Sequence, residues 1–185
     1  MNMPVPANAV VEGTPARIVR FVETEAYTDL QGKDWQGNSS LRLNQAINAT
    51  LYKFPSFPDH RGILTVMDYE KSLPFTPKRM FMIQEVPKGS YRGNHAHRTC
   101  HQFLICLRGS CNVLLDDGKS RADVLLDSKE VGVHVPPMTW GIQYQFTEDA
   151  VLIVLASEAY DKNDYIDEYT EFVAASSRSQ ETSPQ

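Results

Sequence analysis

The stretch RGNHAHRTCHQFLIC, from Arg92 to Cys106, holds three of the chain's five histidines, and two of them, His95 and His97, are two residues apart. In a strand, positions i and i+2 project to one face. Two imidazoles aimed together into a cavity suit metal binding or proton transfer, because imidazole titrates near neutral pH. The same spacing also occurs as an ordinary pair of surface histidines. Arg92, Asn94 and Gln102 are polar side chains of the same stretch that can serve such a site.

The elements that must position these groups are short. From Ala49 onward, apolar runs such as TLYKF, RMFMIQEV, QFLICLR, CNVLLDD, RADVLLD, VGVHV, GIQYQF and AVLIVLAS alternate with turn signals. Among those signals are PKGS, the Gly118-Lys119 pair and PPMT. Many short strands at regular spacing predict a sandwich or barrel. The period then changes. In NDYIDEYTEFVAA, Tyr165, Ile166, Tyr169, Phe172 and Val173 fall on one helical face, with Asp161 or Asn163 placed to cap its start. The reading divides the chain into an N-terminal extension of uncertain structure (1–48), a β domain (49–175) and a polar, disordered tail (176–185). Within the extension, ARIVRFVE reads as a short strand and TDLQGKDWQGNSS as a loop.

Composition narrows the function classes. A net charge of -5 argues against a nucleic-acid partner. No stretch approaches 18 apolar residues, and the N-terminus lacks a basic segment followed by an apolar one, so no membrane partner and a cytoplasmic location are expected. Three cysteines, Cys100, Cys106 and Cys111, without a CxxC pair read as reduced thiols.

The spacing around the histidines is more specific than the pair itself. Gly89 precedes His95 by six positions, and Gln102 and Gly109 follow. This resembles the first motif of the cupin superfamily, G-x5-H-x-H-x3-4-E-x6-G, with Gln102 in the glutamate position. In the run matching the second motif, PPMTWG, Gly141 stands where a third histidine is usual. His101 and His134 are the remaining candidates for a substitute. Two imidazoles without a carboxylate form a poor divalent-cation site, so no metal is expected.

More narrowly, RGNHAHRTCHQFLICLRGSCNVLLDDGK, GVHVPPMTWGIQYQF and AVLIVLASEAYDKNDYIDEY resemble the sugar-nucleotide 3,4-ketoisomerases of the FdtA/QdtA type, which also occur as the cupin half of WxcM-like proteins. DHRGILTV and PKRMFMIQEVPKGSYRGNHAH fit the same family's N-terminal strands. The resemblance spans roughly residues 50 to 173. It implies an all-β cupin fold, a double-stranded β-helix or jelly-roll barrel, with a short C-terminal helix. It also implies a homodimer with exchanged N-terminal strands, no cofactor, and a dTDP-linked keto-sugar whose carbonyl moves from carbon 4 to carbon 3.

His97 is the expected base and His95 its partner in proton transfer or in polarising the sugar oxygen, with the reverse assignment open. Arg61, Arg92, Asn94, Gln102, Trp140 and Tyr144 are expected to bind the substrate, with Arg98 and Lys88 as further phosphate partners. The competing readings are solvated surface charge for the arginines and core packing for Trp140 and Tyr144. Three other functions fit the same residues: a related tautomerase or epimerase, a non-catalytic sugar-nucleotide-binding cupin, and a metal-dependent cupin oxygenase.

Overall fold

Alternation of side chains along the strands sets the architecture. In RADVLL, every second residue (Ala122, Val124, Leu126) is buried against a shared interior, and the intervening positions are half exposed. Such a period-2 pattern places one face of a pleated strand on a core. The computed structural model describes residues 4–28, 30, 35, 40–43 and 47–181. In chain order the strands are β1 (Ala9–Glu12), β2 (Arg17–Phe21), β3 (Thr24–Tyr27), β4 (Ser40–Arg42), β5 (Thr50–Lys53), β6 (Ser56–Asp59) and β7 (Gly62–Thr65). A short helix, α1 (Tyr69–Ser72), precedes β8 (Arg79–Gln84), β9 (Arg92–His97), β10 (Gln102–Arg108), β11 (Cys111–Asp116) and β12 (Arg121–Leu126). Then come β13 (Val131–Val135), β14 (Trp140–Tyr144), β15 (Val151–Ala156), β16 (Tyr165–Ile166) and helix α2 (Tyr169–Glu181).

Two six-stranded sheets form the jelly-roll barrel, ordered β4-β5-β13-β10-β15-β8 and β16-β9-β14-β11-β12-β3. All their pairings are antiparallel except that of β3 with β12, which is parallel. One end of the interior is apolar, built from residues such as Leu104, Val113, Val133 and Leu152. Leu30, Trp35, Leu43 and Ile47, all within the expected extension, are buried in that same cluster. On the outside of the second sheet, Trp140, Ile142 and Tyr144 pack with Ile18 and Phe21 of β2 and with Phe172 of α2. Of the expected loop at TDLQGKDWQGNSS, residues 29, 31–34 and 36–39 lie outside the described residues.

Two boundaries differ from the sequence reading. Tyr165 and Ile166 are not helical: they form β16 and pair with His97 and Ala96 of β9. Asp161 does act as a cap, but of a single 3-10 turn at Lys162–Asp164, where its side chain accepts from the Asn163 backbone N–H. Apolar positions three and four apart satisfy both arrangements, and pairing with β9 decides between them. Helix α2 continues to Glu181, beyond the expected boundary at 175, and residues 182–185 lie outside the described residues.

Strands β6 and β7 pair only with each other among the described residues. They carry exposed Phe57, Ile63 and Leu64, and the terminal strand β8 carries exposed Met80 and Met82.

Candidate active site

Strand β9 delivers the two histidines to the polar end of the barrel. Their rings lie 5.0 Å apart, edge to face, and Tyr165 of β16 touches both, at 4.3 Å from His97 and 4.8 Å from His95. A bulge where β9 meets β14 shifts the register between Gly93 and His95, and Gly93 and Asn94 both take positive φ, +74° and +65°. Glycine is required at 93: a Cβ there would stand 2.6 Å from the Gly141 carbonyl oxygen.

The surroundings of His97 fix its tautomer. Asp164 Oδ2 lies 2.8 Å from His97 Nδ1, and a carboxylate only accepts, so Nδ1 carries the proton. Gln102 Nε2 lies 3.1 Å from His97 Nε2 and only donates, so Nε2 holds a lone pair. Asp164 is itself held by the Thr99 backbone N–H and hydroxyl, both 2.7 Å from Oδ1, and by the Cys100 N–H, 3.3 Å from Oδ2. Desolvation lowers the His97 pKa, against the opposing pull of the Asp164 hydrogen bond and charge. Burial, reinforced by His97, pushes His95 down to about 4. Both rings are therefore neutral at neutral pH.

A narrow cleft borders both histidines, Cys100, Gln102, Thr139, Gly141 and Gln143. It adjoins a wider cavity of about 390 Å³, also bordered by His95 and Gln102, with Phe81, Arg92, Gln143 and Tyr165 on its walls. The structure thus gathers His95, His97, Gln102 and Arg92 of the expected site residues. Asn94 sits in the bulge and does not border either space.

Three expected residues lie elsewhere in this chain. Trp140 is buried on the outer face of β14, with its ring edge-on to Tyr169 at 5.3 Å and against Phe172 at 5.5 Å. Tyr144 shares that face, donates to Asp123 Oδ2 and packs edge-on against Phe21. Both are packing residues here, because β14 alternates so that Gly141 and Gln143 face inward. Arg61 pairs with Asp59 at the exposed tip of β6–β7, with its side chain 78% exposed. Among the further phosphate partners, Arg98 pairs with Glu171, and Lys88 borders a groove beside the N-terminal hairpin. His101 and His134 do not join the centre either. They bond each other, Nδ1 to Nε2 at 2.9 Å, in a stacked pair beside Phe75 on the outer face of the first sheet.

Sequence reasoning passed over Asp164, Gln143, Tyr165 and Arg79. Gln143 was accessible, since it lies two positions after Gly141 and must share its face. Arg79 belongs to a cross-strand row in which Gln102 opposes Ala156 and Ala156 opposes Arg79. Directly opposed residues share a face. The Arg79 guanidinium stacks on Phe81 and Tyr160, its Nε is buried without a hydrogen-bond partner, and its charge lowers the pKa of His97.

Comparison with known proteins agrees with this geometry. Residues 47–177 match the family described as FdtA: WxcM-like, C-terminal. A relative named TDP-4-oxo-6-deoxy-alpha-D-glucose-3,4-oxoisomerase, from Aneurinibacillus thermoaerophilus, is 41% identical over 129 residues, covering 70% of this chain and 89% of the relative. Among solved structures, the 3,4-ketoisomerase QdtA from Thermoanaerobacterium thermosaccharolyticum, with one histidine replaced by asparagine and TDP-4-keto-6-deoxyglucose bound, matches with a TM-score of 0.69. It is 37% identical, covering 71% of this chain and 95% of that one. WlaRA, a TDP-fucose-3,4-ketoisomerase from Campylobacter jejuni, matches with a TM-score of 0.67 and 35% identity over 70% of this chain and 96% of its own. With a cupin barrel, a histidine pair at its polar end and a family match across most of its length, the chain belongs to the FdtA family, WxcM-like, C-terminal.

Proposed function

We propose that this protein is a sugar-nucleotide 3,4-ketoisomerase that converts dTDP-4-keto-6-deoxyglucose to its 3-keto isomer. The observation that carries the reading is His97, neutral, with Nδ1 anchored by Asp164 and the Nε2 lone pair turned toward a cleft shared with His95. The relatives named for this reaction support the same substrate class.

The chemistry follows from these groups. His97 Nε2 takes the proton from carbon 3, and the Gln102 amide that bonds Nε2 in the absence of substrate gives way to the sugar. The resulting imidazolium is stabilised by Asp164, a positioning residue. The enediolate then shares one negative charge and one hydroxyl proton between its two oxygens. That proton passes from the carbon-3 oxygen to the carbon-4 oxygen, and a proton returned to carbon 4 completes the shift. His95, facing the wider cavity, carries that second proton or polarises the oxygen. The carbon acid is weaker than imidazolium by roughly ten pK units, which corresponds to about 14 kcal/mol. Donors aimed at the developing oxyanion must therefore lower the barrier. Arg92 on the cavity wall and Arg79 in the row of Gln102 are the cations placed to do so, and Arg92 also suits the diphosphate.

The active form is a homodimer in which β6–β7 of one protomer covers β8 of its partner. The support is the exposed apolar surface on both elements, and exchange would protect an open sheet edge. It would also carry Arg61 toward the partner's cavity. Light scattering at micromolar concentration tests this: a dimer is expected, and a monomer would contradict it.

A second reading is a related tautomerase or epimerase acting on another sugar nucleotide. Gly141 favours it, because it leaves open the inward position beside His95 that a third imidazole would fill. Incubation with dTDP-4-keto-6-deoxyglucose, followed by NMR, separates the two. The first reading requires the 3-keto product. Exchange of sugar protons without that product would favour the second, and neither change would leave a sugar-nucleotide-binding cupin.

A further inference from the structure

The anchor of His97 includes a third reactive group. His97, Cys100 and Asp164 each offer one donor atom, an imidazole nitrogen, a thiol sulfur and a carboxylate oxygen, and these atoms lie within 4.8 Å of one another. Local structure fixes the arrangement. His97 ends β9, Cys100 follows three residues later in the turn before β10, and the Thr99 and Cys100 backbone N–H groups hold the Asp164 carboxylate against that turn. The Cys100 thiol meanwhile rests on the His101 carbonyl at 3.3 Å, a weak bond that costs little to give up.

We propose that His97, Cys100 and Asp164 form an inhibitory site for a thiophilic divalent cation, with Zn²⁺ the best match. One nitrogen, one sulfur and one oxygen suit Zn²⁺ and disfavour Mg²⁺ and Ca²⁺, which take oxygen ligands. Three protein ligands leave the fourth tetrahedral position for water. Charge balance also fits a buried site: a thiolate and a carboxylate neutralise the dication, and the imidazole stays neutral. The trio forms a wall between two spaces. His97 and Cys100 border the inner cleft, and Asp164 borders an outer cavity of about 420 Å³ whose rim includes the carboxylate of Asp161; Glu158 and Arg98, also on that rim, are paired with Lys78 and Glu171.

The consequence for activity follows from proton accounting, and it rests on the reading of His97 as the base. The cation takes the Nδ1 lone pair, so the Nδ1 proton moves to Nε2, and Cys100 releases its thiol proton to solvent. Nε2 then carries a hydrogen, which the Gln102 amide accepts by turning its carbonyl oxygen, and has no lone pair with which to accept the proton from carbon 3. The same cation separates Asp164 from His97, removing the group that stabilises imidazolium. Binding at this site and isomerisation exclude each other.

The test has two arms, both on the full chain after chelation and desalting. In the first, Zn²⁺ is titrated into the isomerase reaction. At least a hundredfold loss of kcat, reversed by chelator, is expected, and both Cys100→Ser and Cys100→Ala, each normalised to its own zinc-free rate, should raise the half-inhibitory concentration at least tenfold over that of the unaltered chain. In the second arm, Co²⁺ replaces Zn²⁺ and substrate is omitted. A thiolate-to-cobalt charge-transfer band is expected in the unaltered chain and not in either variant. Inhibition equal in all three chains, or a band that persists in both variants and so comes from Cys106 or Cys111, would overturn the proposal, as would Co²⁺ bound without a band. A Cys100-dependent band in a chain that lacks isomerase activity would leave the cation site standing and overturn its inhibitory role together with the reading of His97 as the base.

Discussion

Asp164→Asn should remove most of the activity while leaving the barrel intact, because of how many donors surround the carboxylate. Oδ1 accepts from the Thr99 N–H and hydroxyl, both at 2.7 Å, and the backbone N–H can only donate. The asparagine carbonyl must therefore take the place of Oδ1, and its NH2 must take that of Oδ2, 2.8 Å from His97 Nδ1. Two donors cannot face each other, so the imidazole proton leaves Nδ1 for Nε2, where the Gln102 amide turns its carbonyl oxygen to accept it. The base then loses its lone pair, and the carboxylate that stabilised imidazolium is gone as well. Loss of a correctly protonated acid–base group costs roughly 10²–10⁴-fold, or about 2.7–5.4 kcal/mol of barrier. Steady-state kinetics should place this loss in kcat, with KM within about threefold, since Asp164 does not border the cavity proposed to take the sugar. Residual activity should show its acid limb at lower pH than the unaltered enzyme, because the Asp164 hydrogen bond and charge raise the His97 pKa and would be lost. A kcat within threefold of the unaltered value, or a loss confined to KM, would refute the reasoning.

Isomerase activity should survive exhaustive chelation, because the proposed proton path runs through imidazoles; chelator-induced loss restored by a stoichiometric metal would contradict this. Leu30→Ala should cost about 2–5 kcal/mol in chemical denaturation, since Leu30 is fully buried in the barrel cluster; a change below 0.5 kcal/mol would show that the segment before residue 49 is dispensable to the core. Stability should fall between about pH 6.5 and 4. His95 and His134 are each held down to about 4, and His97 and His101 are lowered too. The unfolded chain then binds protons that the folded chain refuses. Asp123, raised mainly by burial, opposes this in part, and a free energy of unfolding at pH 5 equal to or above that at pH 7.5 would contradict the sign.

The strands were legible because alternation and turn residues are local signals. β10 to β15 fall where QFLICLR, CNVLLDD, RADVLLD, VGVHV, GIQYQF and AVLIVLAS place them. The histidine pair was legible for the same reason. The errors arose where a choice of face or a distant partner decides. Trp140 and Tyr144 were assigned to the substrate although they share the face opposite Gly141, whose position in the second motif already marked the inward side. Asp164 lies 67 residues from His97 and reaches it only because a single 3-10 turn lies between β15 and β16, so no spacing rule announces it. Leu30 and Trp35 are isolated apolar residues in a polar, Gly-rich stretch, without the periodicity that would reveal a buried role.

Removal of the carbon-3 proton by neutral His97 is the step on which the proposed function depends. The most direct test incubates the unaltered protein and His97→Asn with dTDP-4-keto-6-deoxyglucose in deuterated buffer, follows the sugar protons by NMR and measures dTDP-sugar affinity by calorimetry. The unaltered protein should form the 3-keto isomer with deuterium incorporated from solvent. His97→Asn should give no isomer and no exchange at carbon 3, with affinity changed by less than about tenfold, or 1.4 kcal/mol. That pattern is expected because, on the proposed mechanism, the imidazole acts on the transition state while arginines hold the nucleotide. Exchange at carbon 3 that continues in His97→Asn at a rate within threefold of the unaltered protein would contradict the claim and move the role of base to His95 or another group.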